Sequence, residues 1–389
     1  MNFKNLREFD LSSKTVLLRA DLNVPVQDGK VSDFTRIDRV RPTIDYLKEH
    51  ADRIIILSHY GRPKGEENPE FSLKFLPSVL SERWDVKVGF GQGAFEPITL
   101  LENLRFNAGE EANDPEFAKS LADLGDIFVN DAFSTAHRAH ASTEGITHFL
   151  PSTAGLLMES EVHALTMALE NPQSPVVAIV GGAKVSTKLS VLNNLVKKVD
   201  YLVLGGGMAN TFLYAQGHSV GKSLCEPDMA DEAKTIMTSA KKENCEIILP
   251  DDQICVREFK ENAEFEIIEI GDIADDQESI DIGPATIEKI QKILDDCKTV
   301  LWNGPMGVFE MKPFDKGTNE VAQKVGALTQ SGNLISVAGG GDTVSALDNA
   351  GVLDQFSYIS TAGGAFLEWI EGKELPGVAA LKKSSAKAA

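Results

Sequence analysis

The chain repeats one hydrophobic pattern: a short run of β-branched and aliphatic residues, a turn, then a stretch of helical period. In the first half the runs are Thr15–Leu18, Arg53–Leu57, Ile98–Leu101 and Asp126–Val129. In the second they are Val176–Val180, Tyr201–Leu204, Glu246–Leu249, Thr299–Trp302, Leu334–Val337 and Phe356–Ile359. Near-continuous apolar strands alternating with helices predict parallel sheets covered on both faces. The helix signals agree, with Asp114 as N-cap, Pro115 at the first helical position and Gly125 past the end, framing Phe117, Leu121 and Leu124. This alternation excludes a β-sandwich and predicts an α/β fold of two doubly wound parallel-sheet units. A length of 389 residues, at about 150 per domain, agrees with that count. The predicted boundary is Asn171-Pro172-Gln173-Ser174-Pro175, entered by a helical stretch, Glu159–Glu170, that would connect the domains. The small, basic tail Lys382–Ala389 is expected to fray.

Charge narrows the partners. With 38 basic against 58 acidic residues the net charge is −20, which disfavours nucleic acid. An anionic ligand must therefore be held by a local cluster of cations and helix ends. The apolar runs are too short for a membrane span, and the opening MNFKNLREFD has no apolar signal core. The four cysteines, Cys225, Cys245, Cys255 and Cys297, form no CxxC pair, so a reduced, cytoplasmic setting is expected. The acidic balance is compatible with a monomer.

Ligands of open α/β sheets bind beyond the carboxyl ends of the strands. In the first half these positions carry Arg and His: Arg19, Asp21 and Asn23, then His59 and Arg62, Arg105, and finally His137, Arg138 and His140. Arg36 opens the helix that begins RIDRVRP. Converging arginines suit a small polyanion. In the second half the same positions carry glycine, in GGAK at Gly181–Lys184, GGGM at Gly205–Met208, GGGD at Gly339–Asp342 and AGGA at Ala362–Ala365. Glycines opening helices offer backbone N–H groups to phosphate. Lys184 and Lys188, four apart, are predicted on one helical face, and Asp342 is a reasonable Mg²⁺ ligand. Two glycine motifs fail on context: Gly217–Ser223 is a residue short of a P-loop and follows a helix, and Gly89–Ala94 leads into a strand. His137 and His140, with no Cys nearby, are weak as a metal site.

The segments RADLNVP, SHYGRP, LLENLRF, AHRAHAS, GGAKVSTKL, WNGPMGVFE, GGGDT and STAGGAFLE, in this order, resemble the phosphoglycerate kinase family over essentially the whole chain. The resemblance implies two Rossmann-like domains facing a cleft. Residues 1–170 would bind 3-phosphoglycerate or 1,3-bisphosphoglycerate, with a C-terminal segment from about residue 371 to 389 returning to that domain; residues 171–370 would bind Mg-ADP or Mg-ATP. Asp21, Asn23, Arg36, His59, Arg62, Arg105 and Arg138 would hold the phosphoglycerate. Lys188, Glu310, Gly340, Gly341, Asp342 and Thr343 would contact nucleotide, Glu310 at the ribose and Asp342 through Mg²⁺. Gly181, Gly182, Gly205, Gly206 and Pro305 would line the adenosine pocket, with Asn303 and the 362–365 turn near the phosphates. Lys184 and Arg36 would flank the transferring group, and hinges would lie in the Glu159–Glu170 helix and near Ser360 and Thr361. Three positions depart from the family pattern: Ser134 stands where Gly is usual, Tyr60 where Leu or Phe is common, and Ala362 where a third Gly is usual.

The chemistry implied is reversible phosphoryl transfer from 1,3-bisphosphoglycerate to ADP. It needs alignment and charge neutralisation, and in the ATP-consuming direction the acceptor is a carboxylate already ionised at neutral pH, so no general base is required. Two other readings use the same architecture: a nicotinamide-dependent dehydrogenase, which the missing dinucleotide fingerprint opposes, and a non-catalytic phospholigand-binding protein, which would need neither Lys184 nor Asp342.

Overall fold

The computed structural model describes residues 3–387. They form two compact units, one running to His163 and resuming at Glu374, the other Ala164–Lys373.

The strands of the first unit are β1 (Thr15–Arg19), β2 (Val26–Gln27), β3 (Lys30–Val31), β4 (Arg53–Leu57), β5 (Val88–Phe90), β6 (Ile98–Leu100), β7 (Ile127–Asn130) and β8 (Ser152–Ala154). Six make a parallel sheet in the order β5-β6-β4-β1-β7-β8, and β2 with β3 forms a separate antiparallel pair. Its helices are α1 (Thr35–His50), α2 (Leu76–Trp84), α3 (Ala108–Glu111) and α4 (Pro115–Ala122), and α5 (Leu156–Leu169) begins in it and ends in the second unit. The unbroken apolar run of β1 has a simple cause. Val16 and Leu18 pack with Ile37 and Ile44 of α1 in one core, while Leu17 packs with Ile55, Leu57 and Phe128 in another. Sheet order reverses beside β1, so the crevice at its carboxyl end is the place for a ligand.

Local signals act as the sequence suggests at α4, where the Asp114 carboxylate accepts the Phe117 N–H at 2.8 Å. Helix α5 starts three residues before the expected Glu159. Its first N–H groups are satisfied by distant side chains, Leu156 N–H by Thr43 Oγ1 and Met158 N–H by Asp131 Oδ1, each at 3.0 Å. Burial pushes the Asp131 carboxyl up to about 6, against the opposing bonds from Thr43 and the backbone.

In the second unit the strands are β9 (Val176–Val180), β10 (Tyr201–Leu204), β11 (Glu246–Ile248), β12 (Asp252–Val256), β13 (Phe265–Glu269), β14 (Glu278–Ile282), β15 (Thr299–Asn303), β16 (Ile335–Gly339) and β17 (Tyr358–Ser360). A second six-stranded parallel sheet has the order β11-β10-β9-β15-β16-β17, reversing between β9 and β15. The helices are α6 (Leu189–Leu195), α7 (Gly206–Ala215), α8 (Ala230–Lys242), α9 (Pro284–Asp296), α10 (Lys316–Gln330), α11 (Gly341–Asn349) and α12 (Gly363–Ile370). Strands β12, β13 and β14 form a small antiparallel sheet that the apolar-run pattern does not reveal. Its edge strand β13 is largely exposed, so it reads FEIIE with Phe265 and Ile267 in solvent.

The chain then returns to the first unit as α13 (Pro376–Lys387), where Gly377 N–H donates to Ala136 O at 2.9 Å and Val378 and Leu381 are buried. The tail expected to fray from Lys382 is helical as far as Lys387, because its apolar residues have a surface to bury against; residues 388–389 lie outside the described ones. The thiols of Cys245, Cys255 and Cys297 are buried, and that burial pushes each up to about 12. No helix among the described residues is long and apolar enough to cross a membrane.

Candidate functional site

The first unit gathers cations at the carboxyl ends of β1, β4, β6 and β7. At its base Arg19, 1% exposed, donates from Nε to Ser142 Oγ (2.9 Å) and from Nη1 to Ala20 O (2.7 Å), and Nη2 lies 3.1 Å from His59 Nδ1. Ser142 in turn donates to the fully buried Glu110 at 2.6 Å, so the deepest cation has a counter-charge one residue away. Burial, reinforced by Arg19, holds His59 well below the usual histidine range, and burial with Arg105 and Arg138 depresses His140 to about 4. Both rings are therefore neutral donors or acceptors at neutral pH.

Above this base Arg36 Nη1 meets Asp21 Oδ1 and Oδ2 at 2.9 and 2.8 Å and Asn23 O at 3.0 Å. Burial opposes ionisation of Asp21, but Arg36, the hydroxyl of Ser134 and the Asn23 N–H outweigh it and hold the carboxyl below its ordinary value. The Asn23 side chain accepts Gly61 N–H at 2.9 Å, and Arg105 donates to Gly61 O at 2.8 Å, so the SHYGRP turn is tied from two sides. Asn103 closes the turn further, donating to Tyr60 O and Phe71 O at 2.7 and 2.9 Å. Tyr60, one of the family departures, packs edge-on against Phe75 and does not alter these bonds. Arg62 is exposed and Arg138 half-buried. Asp21, Asn23, Arg36, His59, Arg62, Arg105 and Arg138 thus share one end of one sheet. A cavity of about 550 Å³ elsewhere on this unit is lined by Glu67 and Glu102 with Lys74, a poor match to a polyanion.

The second unit stitches backbone loops together at its own reversal point. Gly181 N–H donates to Asn303 O (3.1 Å), Gly206 N–H to Met306 O (2.8 Å) and Met208 N–H to Gly182 O (3.0 Å). A Cβ on Gly181 would lie 1.7 Å from Pro305 O, so no other residue allows this approach. Gly340, at φ +101°, turns β16 into α11, bringing Gly341 to the helix start and Asp342 into its first turn. Thr343 Oγ1 accepts Gly304 N–H at 2.7 Å and donates to Gly339 O at 2.9 Å, while Asn303 Nδ2 donates to Gly339 O at 2.7 Å. These two side chains tie loop to loop, and among the described residues the buried Asn303 Oδ1 has no hydrogen-bond partner. Beside them a cavity of about 410 Å³ is lined by Gly182, Gly206, Pro305, Glu310 and Asp342, with Leu224, Phe259 and Phe309 as apolar walls.

Lys184 and Lys188 require a correction. They do not share a helical face, because residues 181–188 form a turn and α6 begins only at Leu189. The buried Val185 and a Lys188 N–H bond to Val185 O (2.9 Å) fix that turn. Lys188 points inward, donating to Gly181 O and Asn303 O at 2.7 and 3.0 Å, whereas Lys184 is exposed. Burial lowers Lys188 to about 8, with Asp342 opposing. The departure at Ala362 is benign to the backbone: it caps α12 at φ −94°, a value open to any residue.

Sequence reasoning placed Arg19 at a strand end without giving it a role, and missed the Ser142–Glu110 pair beneath it. Ser142 sits in the AHRAHAS segment, but no local signal marks Glu110, whose burial follows from the packing of the short helix α3.

Two doubly wound units, one with strand ends lined by cations and one with strand ends lined by helix-opening glycines, define a phosphotransferase handling phosphorylated small molecules. Comparison with known proteins is specific. The family model described as Phosphoglycerate kinase matches residues 6–373. The chain is 57% identical to the phosphoglycerate kinase of Rhodospirillum centenum, over 98% of this chain and 100% of that one. It is 55% identical to that of Methylorubrum extorquens, over 96% of each. The solved phosphoglycerate kinase of Coxiella burnetii superposes with a TM-score of 0.93 at 45% identity, over 98% of this chain and 100% of that one. The one from Pyrococcus horikoshii gives a TM-score of 0.79 at 32% identity, over 98% and 99%. The chain belongs to the phosphoglycerate kinase family, and its reaction is phosphoryl transfer between 1,3-bisphosphoglycerate and ADP.

Proposed function

We propose that the first unit holds the phosphoglycerate and the second the nucleotide, with Arg36 and Lys184 flanking the group that moves. The observation that carries this division is the contrast in strand ends: seven polar or charged side chains gather on one sheet, and stitched glycine loops beside a cavity on the other. All three bonds of Arg36 use Nη1, which leaves its other donors for an anion. In the second unit Gly181, Gly182, Gly205, Gly206 and Pro305 would receive the adenosine and Glu310 the ribose. Gly340, Gly341, Thr343, Asn303 and Lys188 would surround the phosphates. Asp342 is an exposed carboxylate in the first turn of a helix, a donor set that suits Mg²⁺ held by one carboxylate, phosphate oxygens and water. Bound there, the ion would neutralise phosphate charge on the nucleotide.

Replacing Arg138 by Ala should raise the KM for 3-phosphoglycerate at least about tenfold and leave that for Mg-ATP within about twofold. Equal rises in both would oppose the division. In-line transfer needs reacting atoms roughly 3–3.5 Å apart, so turnover requires the two bound ligands to be brought together. Bending within α5 and near Ser360 and Thr361 is the proposed route, read by scattering as a smaller radius of gyration with both ligands than with either; an unchanged radius opposes it. We further infer a cytoplasmic monomer. Buried, protonated thiols suit a reducing compartment, and a charge of −20 works against self-association. Sedimentation velocity at about 42 kDa supports the monomer, and a doubled mass opposes it.

A further inference from the structure

Ser134 lies in the short 3-10 turn Phe133–Thr135 that follows β7, and its hydroxyl donates to Asp21 Oδ2. That carboxylate also takes Asn23 N–H at 3.1 Å on Oδ1 and Arg36 Nη1 on both oxygens. The Arg36 side chain is 36% exposed, so packing alone does not fix it; Asp21, 12% exposed, is its main anchor. Asp21 is thus the joint between a turn after β7 and a guanidinium on α1. We propose that Ser134 is a positioning residue for phosphoryl transfer, its hydroxyl locking the Asp21 carboxylate in the orientation that aims Arg36. The proposal rests on the reading that Arg36 flanks the transferring group.

The titratable groups that face Asp21 are Arg36 from α1, His59 from the turn after β4, and Arg19 from the end of β1. His59, depressed by burial and Arg19, is neutral near pH 7. The Ser134 hydroxyl is therefore the support that one substitution removes without changing any charge. Its loss lets Asp21 take a proton at higher pH, and a protonated Asp21 releases Arg36.

The test uses the full-length enzyme with ATP, Mg²⁺ and 3-phosphoglycerate from about pH 3.5 to 8, a range that reaches the titration of a carboxyl held below its ordinary value. S134A should lower kcat on the order of threefold to tenfold at neutral pH, leave the KM for Mg-ATP unchanged, and move the acid limb of kcat/KM for phosphoglycerate upward. S134T, which keeps the hydroxyl, should restore both. Carbon-13 NMR of the Asp21 carboxyl adds a readout independent of turnover, with titration at higher pH in S134A than in wild type. An unmoved acid limb and an unmoved Asp21 titration in S134A overturn the proposal. R36A separates the two levels of the argument. If R36A abolishes turnover while S134A changes nothing, only the role of Ser134 fails; if R36A is fully active, the reading of Arg36 fails and takes Ser134 with it.

Discussion

In the first unit an anion would meet side chains, and in the second it would meet backbone. The cations of the first unit need support: Arg19 rests on Ser142 and, through it, Glu110, Arg36 on Asp21, and Arg105 on Gly61 O and Glu111. Each buried positive charge is paired or hydrogen-bonded, as its desolvation demands. The second unit would need no such counter-charges, because its donors would be the backbone N–H groups that open α11 and α12, which cost nothing to keep uncharged. What it needs is close approach, visible where Gly181 meets Pro305 O. A site of charges is tuned through its second layer of side chains, whereas a site of backbone is tuned through the residues allowed to be glycine. Lys188 is the exception in the second unit, a buried cation held by two carbonyls and depressed accordingly.

The largest effect expected concerns Lys184, exposed beside the glycine loops and not engaged as Lys188 is. Lys184→Ala should lower kcat on the order of 10²–10³-fold while ADP affinity stays within a few-fold, the signature of a group that acts on the moving charge. An equal loss in affinity would make it a ground-state contact and blur the contrast with Lys188. Lys188 supplies the next effect. Burial places it at about 8, so its charge is present below that pH and lost as pH rises through it. The kcat/KM for Mg-nucleotide should therefore fall above pH 8 by up to about tenfold per unit, and Lys188→Arg should remove that limb. A profile flat to pH 9.5 would contradict the buried ammonium as a nucleotide contact.

The smallest effect sharpens the comparison itself. Side-chain charges near the surface are screened over about 10 Å at 0.1 M salt, while short backbone contacts are screened much less. Raising salt from about 0.05 to 0.3 M should increase the KM for phosphoglycerate a few-fold and that for Mg-ADP by less. Equal responses would remove the distinction between the two kinds of site.

The sheets were legible because parallel strands buried on both faces leave unbroken apolar runs, as in Val176–Val180, wholly buried in β9. The antiparallel β12-β13-β14 sheet was not, since a strand such as Glu278–Ile282, with the polar Asp281 buried between two isoleucines, leaves no unbroken apolar run. Arg105 and the glycine clusters were legible because residue type and strand-end position together name the chemistry, and Arg36 because it opens a helix. The fold of the 181–188 turn was not, because helical spacing between Lys184 and Lys188 is indifferent to whether a helix is there. Nor were the carboxylates beneath the cations: Glu110 becomes a partner of Ser142 and Arg19 only when α3 packs under them. Supporting residues carry no local signature because their partners lie far away in the chain.

The division of labour between the two units is tested most directly by amide chemical-shift mapping of the labelled enzyme with one ligand at a time. With 3-phosphoglycerate alone, the account predicts that shifts change around residues 19–23, 59–62, 103–106 and 134–142. With Mg-ADP alone, they should change around 181–188, 205–208, 303–310 and 339–343. Phosphoglycerate perturbing the glycine loops first, with the arginine-bearing strand ends silent, would contradict it.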